Sequence, residues 1–301
     1  MEPLNIKFNK IIEQMIKNAP NKHPVITEEN VYQEGVKKNK PLMQRIINEL
    51  MLPGSKLEGL ENLIELYKLS QERKKCLILM EHYSNFDLPC FYELLERDKE
   101  WGKKIADSIV SVAGTKLNEE SPLVRAFAEI FTRVVIFPKT NLKNFKTKEE
   151  YEKALERRKK INLAALKKLF ELRTSGRIIL VFPTGTRYRP WDPSTGRGLK
   201  EIDSYIKSYD YMVLVAINGN TLRLNPNGNM DEDIPSRDIM IYTVSPVYKC
   251  SDYRRKIIEA NPNIEDKKQL VVDSVMEELK KIHETVEKER VKLLKDLEEK
   301  Q

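Results

Sequence analysis

The chain has 301 residues, 40% of them hydrophobic and 33% charged, with a net charge of +7. That apolar content supports a buried core and excludes wholesale disorder. Apolar runs are short, as in Ile178–Phe182, against the ~20 residues of a membrane-spanning helix. Met1 to Lys7 lack the apolar core of a signal peptide, so a cytoplasmic protein is expected.

Residues 1–70 read as an N-terminal helical bundle. Ile6, Ile11, Ile12, Met15 and Ile16 fall at helical spacing, and Pro20 and Pro24 end that pattern. Thr27 is placed to cap a second helix. Leu42, Ile46, Ile47 and Leu50 mark a third. A Pro53-Gly54 turn precedes a fourth, carrying Leu57, Leu60, Leu63, Ile64 and Tyr67. His23, between Lys22 and Pro24, reads as an exposed loop residue.

Residues 71–301 read as an α/β domain. Cys76–Met80, Ile109–Ala113, Val134–Phe137, Ile178–Phe182, Met212–Ile217 and Ile239–Val244 are short runs rich in Val and Ile. Such runs suit strands covered on both faces. Their alternation with helical segments predicts a mixed central sheet flanked by helices. Helices are expected over Tyr151–Leu172, ended by Gly176, and from Asp266 to Glu299. His283 on the latter has no chemical setting. Cys76, Cys90 and Cys250 show no CxxC spacing, so neither a disulfide framework nor a metal site is expected.

Three stretches carry chemistry. In Glu81-His82-Tyr83-Ser84-Asn85-Phe86-Asp87, a strand exit presents an imidazole and a carboxylate five residues apart. A carboxylate on one ring nitrogen fixes the tautomer of a general base. A loop histidine with Asp87 as helix N-cap gives the same pattern. Lys139 follows a strand, where ligand sites of open α/β sheets lie, though a solvated lysine would also stand there. In Phe182-Pro183-Thr184-Gly185-Thr186-Arg187-Tyr188-Arg189-Pro190, a turn at Gly185 presents two arginines at alternate positions, suited to one phosphate.

Together these blocks resemble the glycerolipid acyltransferases. His82 and Asp87 match that family's NHxxxxD block, with Glu81 in place of Asn. Phe182 to Arg187 matches its FPEGTR block, with Thr184 in place of Glu. Arg187-Tyr188-Arg189-Pro190 and the middle block, Val112-Ala113-Gly114 through Pro122-Leu123, are similar to the soluble, plastid-type glycerol-3-phosphate acyltransferases. The resemblance implies that His82 takes the proton of the sn-1 hydroxyl of glycerol-3-phosphate as it attacks an acyl thioester. Asp87 would orient His82. Lys139, Arg187 and Arg189 would hold the phosphate, with Ser84, Thr184 and Gly185 in support. The co-substrate would be an acyl carrier protein or coenzyme A thioester, with no cofactor. Acylation of lysophosphatidate at the second position is the rival within enzymes, although its bulky acceptor usually goes with membrane-embedding helices. A non-catalytic lipid- or carrier-binding relative is the rival outside them.

Residues 143–177 hold twelve Lys and Arg against five Glu. That stretch suits an acidic carrier protein, a peripheral contact with an anionic membrane surface, or a solvated helix face. Nucleic-acid binding would need aromatics interleaved with the cations. The stretch offers only Phe145, Tyr151 and Phe170, so no nucleic-acid partner is expected.

Overall fold

The computed structural model describes residues 2–18, 25–119, 121–142, 145 and 147–299. Pro20, His23 and Pro24 lie outside the described residues. Eleven strands are present among them: β1 Tyr32–Gln33, β2 Lys56–Glu58, β3 Cys76–Met80, β4 Ile109–Gly114, β5 Arg133–Ile136, β6 Ile178–Val181, β7 Tyr211–Asn218, β8 Leu222–Arg223, β9 Ile234–Pro235, β10 Ile241–Val244 and β11 Tyr248–Lys249. Nine form one mixed sheet in the order β1-β5-β4-β6-β3-β7-β10-β2, with β11 also on β7. The central five, β5-β4-β6-β3-β7, run parallel. β1 and β10 are antiparallel to their neighbours β5 and β7, and β2 joins β10 in parallel at the far edge.

The expected α/β sheet with flanking helices is therefore present, and each of the six apolar runs supplies a strand. Alternate residues of the central strands face two separate cores. Ile78, Met80, Ile178, Leu180, Val213 and Val215 pack among the N-terminal helices, in one cluster with Ile46, Ile47 and Leu50. Leu77, Leu79, Ile179, Val181, Met212 and Leu214 pack against Lys148–Leu172, Ile202–Ser208 and the long helix Lys267–Glu298. Two of these three helix starts are capped by side chains. Thr147 and Glu150 exchange side chain-to-backbone bonds, and Asp266 accepts from Gln269 N.

The N-terminal segment is helix-rich, with helices at Asn9–Asn18, Lys40–Leu50 and Leu60–Gln71. It is not all helical. The helix expected to start at Thr27 is a turn, because Asn30 closes the loop itself. Its Oδ1 accepts from Thr27 N at 2.8 Å and its Nδ2 donates to Val25 O. The chain then leaves extended, Val31 accepts from Val135 N, and β1 pairs with β5. Leu57, assigned to the fourth helix, lies on β2 instead.

Parallel strands place all their carboxyl ends at one edge of the sheet. Met80, Gly114, Ile136 and Val181 end there, so the loops that follow β3, β4, β5 and β6 share that edge. β3 and β6 are direct neighbours.

Candidate active site

Glu81-His82 follow the end of β3, and the chain turns through Ser84 to enter a helix at Asp87. The loop is folded around one carboxylate. Asp87 Oδ2 lies 2.8 Å from His82 Nδ1 and accepts from Tyr83 N at 2.6 Å. Ser84 N donates to both carboxylate oxygens, and Ser84 Oγ donates to Oδ1 at 3.0 Å. Asp87 is buried, and Tyr83 N and Ser84 N can only donate to it, so its Oδ2 beside the imidazole serves as an acceptor. An acceptor beside Nδ1 puts the proton of a neutral imidazole there and leaves Nε2 with the lone pair. Phe182 stacks on the imidazole with ring centroids 4.0 Å apart, which fixes the ring plane. Ser84 has its proton committed to Asp87 and its oxygen to Phe86 N. It shapes the loop.

The second loop leaves β6 through a tight turn. Gly185 N donates to Phe182 O, and Gly185 takes φ +63°. The positive φ calls for glycine, and a Cβ there, 2.5 Å from Leu199 Cδ1, would also push that exposed side-chain end aside. Thr184 Oγ1 donates to Thr186 O at 2.6 Å, which braces the turn from within. Tyr188 N donates to His82 O at 2.8 Å, tying this loop to the first.

The two arginines take different partners within the protein. Arg187 forms an ion pair with buried Asp233, whereas Arg189 Nη1 donates to Thr186 Oγ1 at 3.2 Å. Burial raises Asp233 above the ordinary carboxylate range more than the Arg187 charge lowers it. Lys139 follows β5 on the same edge. It is exposed and paired with Glu201 at 2.8 Å, two residues past Leu199, whose N–H bonds Pro183 O. A surface pair of this kind is worth little and is readily exchanged for another anion.

Beside the His82 pair stands a second acid and imidazole that sequence reasoning passed over. Glu81 Oε2 accepts from Ile217 N at 2.8 Å and lies 3.2 Å from His283 Nδ1. The Tyr83 hydroxyl donates to Glu81 Oε1 at 3.0 Å. Burial and the Glu81 charge push that phenol up, so it stays a donor. Burial alone would lower His283, but Glu81 and Glu287 together outweigh it and raise the imidazole above its ordinary value. Far from bland, His283 anchors the C-terminal helix to the strand exit that carries His82. Its spacing from Leu279 and Val286, four and three residues, placed it on the buried stripe and was the available signal.

Cys76, Cys90 and Cys250 are buried free thiols, each pushed up to about 12, chiefly by burial. No group of three or more His, Cys, Asp or Glu among the described residues is arranged to hold a metal ion. No helix among them is long and apolar enough to cross a membrane. A cavity of about 350 Å³ lined by Met43, Tyr92, Ile109 and Arg177 lies at the amino ends of β4 and β6, the opposite edge from His82.

A family model described as Acyltransferase matches residues 55–206. The chain belongs to the acyltransferase family. No curated protein matches it. The matched span of the acyltransferase contains His82, Asp87, Lys139, Arg187 and Arg189, whereas Asp233 and His283 lie beyond it. No motif announces Asp233; it reaches Arg187 from the turn before β9, across 46 residues of chain.

Proposed function

We propose that this acyltransferase moves an acyl group from an acyl carrier protein or coenzyme A thioester to the sn-1 hydroxyl of glycerol-3-phosphate, as the soluble, plastid-type enzymes do. The observation that carries the reading is the bond from Tyr188 N to His82 O. It holds a base oriented by a buried carboxylate against a loop that bears two arginines.

His82 Nε2 takes the hydroxyl proton as the oxygen attacks the thioester carbonyl. The C–O bond forms, the C–S bond breaks, and the proton passes from the imidazolium to the departing thiolate. Asp87 holds the imidazole and stabilises its charged form. Arg187, Arg189 and Lys139 grip the phosphate, which places one hydroxyl at the base and turns a bimolecular encounter into a positioned attack. Asp233 aims Arg187 from behind. Thr184 and Gly185 hold the turn that presents it. The enzyme acts in the cytoplasm and needs no cofactor beyond the thioester.

The test is thioester cleavage by the purified protein with glycerol-3-phosphate and lysophosphatidate as competing acceptors. Preferred consumption of glycerol-3-phosphate is expected. Preference for lysophosphatidate overturns the acceptor assignment, and cleavage with neither overturns the catalytic one.

A further inference from the structure

The net charge of the chain is localised. Residues 157–177 hold eight Lys and Arg against one Glu, and the other 280 residues hold 45 of each sign. This stretch is the carboxyl-terminal half of the helix Lys148–Leu172 and the turn after it. One face of that half is buried through Ile161, Ala165, Leu169 and Leu172. The opposite face is not polar. Leu163, Leu166 and Phe170, spaced three and four apart, form a single ridge and are 52%, 65% and 62% exposed. Lys159 and Lys167 stand one turn either side of Leu163, exposed and without an ion-pair partner among the described residues. The Arg173 guanidinium lies on the Phe170 ring, 3.9 Å from its centroid. Lys160 is paired with Glu156, and Lys168, over the Tyr32 ring in the groove beside the ridge, is paired with Glu171.

We propose that this ridge docks the protein on an anionic lipid bilayer. An apolar ridge edged with cations is the pattern that inserts side chains below the headgroups while the cations meet lipid phosphates. The neighbouring surface favours a bilayer over an acidic protein segment. The groove beside the ridge, about 720 Å³, is walled by Glu28, Glu29 and Glu171 and by Lys160, Lys167 and Lys168, of which Lys160 and Lys168 are already paired with Glu156 and Glu171, so it offers an acidic segment no net positive charge. Those carboxylates oppose an acidic segment seated there, whereas a flat surface needs only the ridge. The placement also suits the chemistry. Asn162 bonds both backbone groups of Phe137, just past β5, so the ridge starts level with the edge that carries His82. From there to Phe170 it runs about 12 Å along the side of the sheet. The inference rests on this surface and goes beyond the acyl-transfer reading.

Vesicle flotation tests it, with the full chain on phosphatidylcholine alone and on phosphatidylcholine mixed with phosphatidylglycerol. Binding to the anionic vesicles only, weakened by salt, is expected. Lys159→Gln with Lys167→Gln should weaken it about 25-fold, from about fivefold per cation near such a surface. Leu166→Ser with Phe170→Ser should abolish it. Lys280→Gln with Lys281→Gln, on another exposed surface, should leave it unchanged. Equal binding to both vesicles, or equal loss in the Lys280/Lys281 control, overturns the proposal. So does unaltered flotation of the ridge variants, including the case in which they instead lose affinity for a soluble acidic carrier protein. Thioester cleavage in detergent-free solution reports separately on the acyl-transfer reading, and the ridge variants should retain it.

Discussion

Asp87→Asn is the most discriminating change at the site, because the structure decides which way the amide must face. The carboxylate serves His82 Nδ1, Tyr83 N and Ser84 N through Oδ2, and Ser84 N and Oγ through Oδ1. An amide has one acceptor oxygen. Turning its NH2 toward the imidazole would force it against Tyr83 N, which sits 2.6 Å from Oδ2, and leave a buried donor unpaired at about 1–3 kcal/mol. Keeping the oxygen there retains His82, Tyr83 and one Ser84 N bond, and Ser84 Oγ can reverse to accept from the NH2. The second arrangement wins, so the tautomer survives. What is lost is the charge that stabilises the imidazolium. A hydrogen bond to a charged group exceeds a neutral one by roughly 1–2 kcal/mol, or about five- to thirtyfold in kcat. Stability should fall by about 1 kcal/mol for the altered Ser84 contact. Continuous thioester cleavage and a thermal melt measure both. An unchanged kcat would remove Asp87 from the mechanism. A loss near 10⁴, the size seen when an amide imposes the wrong tautomer, would refute the claim that Tyr83 N pins the orientation.

Arg187→Ala should raise the glycerol-3-phosphate KM far more than that of the acyl donor, and should destabilise by about 3–5 kcal/mol because Asp233 stays buried without its partner. Adding Asp233→Asn should recover the stability without the KM, which steady-state kinetics and urea melts will separate. His283 is raised in the folded chain, so its contribution is complete below the unfolded imidazole value of ~6.5 and is lost as pH rises through the folded value. The urea midpoint should therefore fall over that window in the native chain, and His283→Gln should flatten that step; an unchanged pH profile would dissolve the Glu81–His283 linkage. Gly185→Ala should cost about 1–3 kcal/mol for a left-handed residue plus the collision with Leu199. In Gly185→Ala with Leu199→Ala, only the collision should be relieved, as thermal melts of the two variants would register.

The sheet was legible because its strands are buried on both faces. Near-continuous apolar runs such as Cys76–Met80 have no other comfortable environment, and the structure places all six in strands. β1 and β2 were not legible. They are two and three residues long, lie at or beside the sheet edges, and owe their pairing to β5 and β10 rather than to their own pattern. Thr27 carried a cap signal, and Glu29 N does bond its hydroxyl at 3.4 Å. Asn30 then closes the turn before a helix can propagate. The His82–Asp87 contact followed from a strand exit meeting a helix start five residues on. The Arg187–Asp233 and Glu81–His283 contacts could not follow, because they span 46 and 202 residues and depend on where the sheet brings the later chain back.

Glu81 and Thr184, the two departures from the glycerolipid acyltransferase pattern, share one physical property. Both are buried, and both spend their polar atoms on the protein. Thr184 bonds Thr186 O inside the arginine turn. Glu81 bonds Ile217 N on the neighbouring strand, the Tyr83 hydroxyl and His283. A carboxylate that already has a backbone donor, a phenol and an imidazole has little capacity left for a substrate group. An asparagine at position 81, with one acceptor oxygen, could not hold all three. The departures therefore alter how the two loops are supported and leave His82, Asp87, Arg187 and Arg189, the groups assigned to base and phosphate, in place. Glu81 also gives the C-terminal helix a direct hold on the residue before His82, so the position of the base depends on a contact that spans 202 residues of chain.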